Sequence, residues 1–278
     1  MPTFDTPEPI SATLEFDVGS ARIVATKRID TVVEVLPSNA AEDADVRAAQ
    51  QTKVTYADGK LLVKGSKKRS LFGKTGSIDV RVELPADSDL HGTTPMADFL
   101  CTGRLGECRL KTSFGDLRVD EAAETYLKTG HGDIRAARLS GDAEVIGSGR
   151  VEVGTFEGTA KVKNGNGETK IGEAAGDLRV SAANGAISVD VAHADVDAKS
   201  ANGGIRVGDV ARGNITIQAA IGDVEIGIRE ATAAWLDVRT GVGSVRNSLN
   251  TADGPGTSDE TVEVHAGTGI GDILIHRA

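Results

Sequence analysis

The chain has 278 residues, of which 34 are glycine and 3% aromatic, a composition that suits many short strands joined by tight turns and leaves few aromatic platforms for sugars. A formal net charge of −10, from 41 acidic and 31 basic residues, argues against a nucleic-acid binder that works by neutralising phosphates. The start, MPTFDTPEPI, has neither a basic n-region nor an apolar h-region, and no later segment approaches the roughly 20 apolar residues of a membrane-crossing helix, so a cytoplasmic chain without a transmembrane segment is expected.

Residues 1–95 read as an N-terminal β-rich cap. Alternating apolar and polar residues predict strands over 12–18, 22–25, 31–36, 53–56, 61–64 and 77–84. Between Ser38 and Gln51 the segment AEDADVRAAQQ predicts one short helix behind a Ser38 or Asn39 cap. The stretch from Lys64 to Lys74 holds Lys67, Lys68, Arg69 and Lys74 around Leu71-Phe72 and contains no acid. A loop of that kind, with Phe72 at its centre, is a candidate contact for an anionic membrane surface or an acidic partner.

Residues 96–278 read as a parallel β-solenoid continuous with the cap. One pattern returns there: Gly, often Asp, an aliphatic residue, a polar residue, a second aliphatic residue. It runs from Gly115-Asp116-Leu117-Arg118-Val119 through Gly132-Asp133-Ile134-Arg135-Ala136 to Gly271-Asp272-Ile273-Leu274-Ile275. The glycines Gly115, Gly132, Gly149, Gly167, Gly185, Gly203 and Gly222 are spaced by 17, 17, 18, 18, 18 and 19 residues. A second register lies half a period away, in Gly141-Asp142-Ala143-Glu144-Val145 and Gly176-Asp177-Leu178-Arg179-Val180. Each coil therefore holds two short strands whose aliphatic pairs point inward while the residue between them points out. Parallel stacking of such coils builds a core that no single repeat could bury.

Asn166, Asn184 and Asn202 sit one 18-residue period apart, each before Gly, and are expected to stack with the glycines as a ladder of turn residues. The outward positions Arg118, Arg135, Glu152, Lys170, Ser188, Arg206, Glu225 and Arg246 mix charge signs and predict a solvated face. After a coil bearing Trp235 and a loop over 250–259, the chain ends just beyond Ile273-Leu274-Ile275. A last coil of that kind leaves strand edges open to self-association, unless the loop covers them.

With its N-terminal strands, Val82-Glu83-Leu84-Pro85 before the repeats, and Gly-Asp-aliphatic-polar-aliphatic strands to the end, the chain resembles the bacterial DUF4097 family of β-strand repeat proteins. The resemblance spans residues 10 to 275 and implies a β-solenoid with the surface role of the family's adhesin label; it brings no catalytic residues.

The residues themselves suggest little chemistry. Calcium-binding β-rolls also use about 18 residues per coil, but place Asp two residues after Gly. Here the acid follows Gly directly and is replaced by Arg150, Ala186, Gly204 and Ser244 in several coils, although Asp116 and Asp133 could share a weakly held cation. His91, His131, His193, His265 and His276 fall at no metal-ligand spacing, and no Ser lies in a G-x-S-x-G elbow. Cys101 and Cys108 form no C-x-x-C pair and read as buried thiols. No catalytic, cofactor or metal residue is nominated. The expected function is a non-enzymatic solenoid that presents a rigid, adhesin-like surface to a protein partner. The alternatives are a cytoplasmic scaffold resembling bactofilins, self-assembling through the C-terminal coil, and a weak calcium-binding β-roll.

Overall fold

Side chains that alternate across a strand can bury one face only if another element covers it, and here each coil is covered by the next. The computed structural model describes residues 1–65, 75–249 and 260–278, which form 26 strands and one helix. Two compact units result, Met1–Leu139 and Ser140–Ala278.

The first unit contains β1 (Thr3–Asp5), β2 (Ser11–Glu15), β3 (Val18–Thr26), β4 (Asp30–Pro37), α1 (Asp43–Gln51), β5 (Lys53–Ala57), β6 (Lys60–Lys64) and β7 (Ile78–Pro85). It continues with β8 (Asp89–Leu105), β9 (Cys108–Phe114), β10 (Leu117–Ala122), β11 (Thr125–His131) and β12 (Ile134–Leu139). Parallel ladders run β6-β2-β8-β9-β11 in one row and β7-β3-β8-β10-β12 in the other. The long β8 serves both rows. On the far side the pairing turns antiparallel, with β5 on β6, β4 on β7 and β1 on β4. Antiparallel neighbours cannot continue a coil that rises by parallel steps, so the stack stops there.

The helix begins at Glu42, which caps it through backbone alone, and not at Ser38 or Asn39. Those two side chains have other partners. Ser38 Oγ donates to Asp79 at 3.0 Å, and Asn39 Oδ1 accepts the Ala41 N–H at 3.0 Å.

The second unit contains β13 (Ala143–Gly147), β14 (Val151–Phe156), β15 (Ala160–Asn164), β16 (Thr169–Ala174), β17 (Leu178–Asn184), β18 (Ile187–Ala192) and β19 (Val196–Asn202). It ends with β20 (Ile205–Val210), β21 (Gly213–Ile221), β22 (Val224–Ile228), β23 (Thr232–Val242), β24 (Val245–Asn247), β25 (Glu260–Ile270) and β26 (Ile273–Arg277). All its pairings are parallel. The inward column Ala160, Leu178, Val196, Ile215 and Val264 is buried, each residue stacked on its counterpart one coil away.

Stacking order departs from chain order in the last three coils. β25 lies between β21 and β23, and β26 between β22 and β24. The expectation that Ile273-Leu274-Ile275 forms the outer edge is thus corrected: Ile273 and Ile275 are buried, and the outermost coil is β23-β24. The Gly243-Ser244 turn of that outermost coil is tied to its neighbour by the Asp272 carboxylate, which accepts the Ser244 N–H at 2.8 Å.

Candidate binding surface

An Asp at the turn, most often following the repeat glycine, ties neighbouring coils together. In the first unit Asp98 Oδ1 accepts the Asp116 N–H at 2.8 Å, and Asp116 Oδ1 accepts the Asp133 N–H at 2.9 Å. In the second, Asp223 accepts from Asp272 N at 2.8 Å, and Asp272 accepts from Ser244 N at 2.8 Å. The other corner repeats the arrangement, with Asp142 accepting from Thr159 N at 3.0 Å and Asp195 from Asn214 N at 2.8 Å. The bond from the Ser244 N–H, with a second from its hydroxyl, holds the Asp272 carboxyl below the usual carboxylate range. Asp116 and Asp133, considered as sharers of a cation, are joined instead by this backbone bond.

The turn glycines stack on one another from coil to coil. Gly115, Gly132, Gly167, Gly185, Gly203 and Gly222 all have positive φ, while the Gly149 carbonyl lies under Gly167. At Gly222, φ is +147° and an added Cβ would lie 2.5 Å from the Gly203 carbonyl carbon and oxygen, so no larger residue fits without moving the stack. Outside the glycines, Asn184 Nδ2 donates to Asn166 Oδ1 at 3.0 Å and Asn202 Nδ2 to Asn184 Oδ1 at 3.1 Å. Asn166 Nδ2 in turn donates to Ser148 Oγ at 3.2 Å.

One set of supporting residues is missed by the sequence reading. In several coils the inward position just before the turn holds a Thr or Asn that satisfies a turn carbonyl, while Ala182, Ser200 and Ala219 occupy it in others. Thr129 Oγ1 donates to Gly115 O, Thr268 Oγ1 to Gly222 O and Thr240 Oγ1 to Gly271 O, each at 2.8 Å; Asn164 Nδ2 donates to Gly149 O at 3.0 Å. An unsatisfied buried carbonyl would cost about 1–3 kcal/mol. The available signal was a polar residue recurring where the alternation called for an aliphatic one.

The residue before the turn glycine faces solvent, and its chemistry changes between coils. In the first unit Met96, Phe114 and His131 are in register, with the Phe114 and His131 rings stacked at 4.7 Å. In the second unit the exposed Asn row gives way to Ile221, Ile270 and Val242, paired in that order and 51%, 52% and 66% exposed. Leu274 and Trp235 are exposed on the same coils. The strand face of β15, β17, β19 and β21 is different, a shallow trough of about 360 Å³ lined by Lys161, Asp177, Arg179, Asp195, Asp197 and Thr216. Arg179 and Asp197 pair across it at 3.3 Å.

The candidate contact residues Lys67, Lys68, Arg69, Phe72 and Lys74 lie outside the described residues, as does the 250–259 loop. Among the described residues no group of three or more His, Cys, Asp or Glu is placed to hold a metal ion, and no helix is long and apolar enough to cross a membrane. Cys101 and Cys108 are both buried and free. The hydrogen bond with Cys108, together with burial, holds the Cys101 thiol well above its usual range.

Coils tied by carboxylate-to-amide bonds at the corners, with glycine turns and alternating inward aliphatics, define a parallel β-solenoid. The chain belongs to the Toastrack DUF4097 family, which it matches over residues 23–278. It is also similar to a Bacteroides fragilis protein provisionally named an adhesin, at 13% identity over 99% of this chain and 95% of that one, with a TM-score of 0.37. A similarly named protein from Parabacteroides distasonis matches at 9% identity over 98% and 96% of the two chains, with a TM-score of 0.32. A Clostridium sporogenes protein provisionally named for cell adhesion matches at 15% identity over 100% and 98%, with a TM-score of 0.22. No curated protein matches the chain.

Proposed function

We propose that this Toastrack protein is a non-enzymatic solenoid whose exposed coil corners dock a protein partner. The observation behind this reading is the row Ile221, Ile270 and Val242, three aliphatic side chains in register on consecutive coils, all more than half exposed. The preceding coils of the same corner hold Asn, so solvent exposure alone does not demand an apolar residue there. Carboxylate-to-amide bonds beneath the row fix its spacing, so little side-chain or backbone entropy is lost when an apolar strip of a partner covers it. Clustered apolar residues on a stiff scaffold are the usual core of such an interface, with charged residues at its rim.

The test is a photo-crosslinking amino acid placed at Ile270 in the cells that make the protein, with the same group at Arg179 on the charged trough as the comparison. A discrete adduct at Ile270 that Ile221→Ser abolishes is expected. Adducts that are equal at both positions, or absent at Ile270, would overturn the reading.

A further inference from the structure

We infer that β23 is a self-complementary edge through which two copies of this chain pair antiparallel about a two-fold axis at Val238. The inference concerns the free edge of β23, which shares only Val242 with the Ile221 corner, and stands apart from the identity of any partner docked there.

β23 is 11 residues long and pairs with β25 alone among the described residues. Its inward residues Ala234, Leu236, Val238 and Thr240 are only half-buried, whereas their β25 neighbours Val262, Val264, Ala266 and Thr268 are at most 5% exposed. β23 covers β25, and no described residue covers β23 in the same way. An unpaired strand over an incompletely buried face is a template for strand addition.

The backbone decides which residues can take part. The Val242 carbonyl accepts the Gly271 N–H at 2.9 Å, so even-numbered residues of β23 turn their peptide groups toward β25. The odd-numbered residues Trp235, Asp237, Arg239 and Gly241 turn theirs to the free edge. Two-fold antiparallel pairing must therefore set odd residues opposite odd residues, and only a few registers do so.

Side chains choose among them. A centre at Asp237 sets two carboxylates face to face, and a centre at Arg239 sets two guanidiniums face to face. With the centre at Val238, Asp237 of each copy faces Arg239 of the other, twice. The same register sets Trp235 opposite Gly241, which leaves the indole room to lie over bare backbone, and sets Val238 against its own copy on the core side. Four pairs that each exchange two bonds would contribute about eight backbone hydrogen bonds. Both charges are available: Asp237 is 58% exposed with only His265 near it, at 3.6 Å, and Arg239 is exposed and forms no ion pair among the described residues. Opposite charges across an antiparallel pair are favourable and like charges are not.

The experiment is sedimentation equilibrium of the full chain at low salt, with circular dichroism to check folding. The wild type is expected to dimerise. Asp237→Arg and Arg239→Asp, each alone, replace two attractive pairs by two repulsive ones and should weaken the dimer by about tenfold or more. The double variant D237R/R239D restores complementarity in this register and should restore dimerisation, and Val238→Cys should cross-link to its own copy on oxidation. A chain that stays monomeric at all concentrations, a dimer indifferent to the single reversals, or a double reversal that fails to restore it would overturn the inference.

Discussion

Two glycine-to-alanine substitutions in the second unit should have opposite signs. Gly222 stacks between Gly203 and Gly271, and its Cβ would approach the Gly203 carbonyl to 2.5 Å, roughly 1 Å short of ordinary contact. The strained φ costs of order 1–3 kcal/mol, and displacing packed backbone a similar amount, so Gly222→Ala should lose about 4 kcal/mol. That is a large share of the 5–15 kcal/mol by which a domain is typically stable. Gly267 in β25 has no such neighbour; the nearest atoms to an added Cβ are Arg239 O at 3.8 Å and Cγ at 3.9 Å. Gly267→Ala removes chain entropy from the unfolded state and should gain about 0.5 kcal/mol. Urea unfolding followed by circular dichroism reads both. With a slope of about 2 kcal/mol per molar, the midpoint falls by about 2 M for Gly222→Ala and rises slightly for Gly267→Ala. Midpoints that coincide for the two variants would refute the stacked-turn geometry.

Ile187 is buried and Ser188 beside it faces out, so Ile187→Asp should cost several kcal/mol, on the order of 3–5, while Ser188→Asp stays near neutral; thermal melts with equal losses would sink the register. Cys101 and Cys108 should resist thiol reagents in the native chain and react together on denaturation. Because the folded state holds the Cys101 proton above its ordinary pKa of 9.0, its contribution is complete below pH 9 and declines as pH rises beyond it, so the native chain should lose stability on the alkaline side, an effect that Cys101→Ala removes. Asp272 has the opposite sign. Its folded pKa lies below the ordinary 3.8, so the stabilisation is present above that pH and fades as pH falls further, and Asp272→Ala should flatten the acid limb of the stability profile.

The coil spacing and the inward aliphatic pairs were readable from the sequence because each repeat meets the same neighbour at the same distance, and the same substitutions are tolerated at every level of the stack. Asn166, Asn184 and Asn202 fall on that period, and their side chains bond in series. What the period could not convey was order. The tripeptides Ile221-Gly222-Asp223, Val242-Gly243-Ser244 and Ile270-Gly271-Asp272 follow one pattern, and the stack continues past other turns without the acid, at Gly185-Ala186 and Gly203-Gly204, so the repeat does not mark which coil goes last. The inward Thr129, Asn164 and Thr268 were equally hidden, since their purpose lies in carbonyls that glycine turns push into the core. Glu42 as the helix start was missed because the Ser38 side chain bonds to Asp79 of β7 and that of Asn39 to Ala41 in the loop.

The exchange of the last two coils has a kinetic side. A chain made from its N-terminus exposes residues 232–247 before residues 260–277 exist, so the outermost coil is available before the coil it must rest on. In that interval the free edge of β21 and β22 can accept the wrong strand, since β23 presents much the same alternation as β25. Correct closure then requires the early arrival to leave or stand aside, so a slow late phase in refolding belongs to this tip of the second unit. A chain truncated before Glu260 should settle into the sequential stacking, a second arrangement of the same coils that the complete chain passes over.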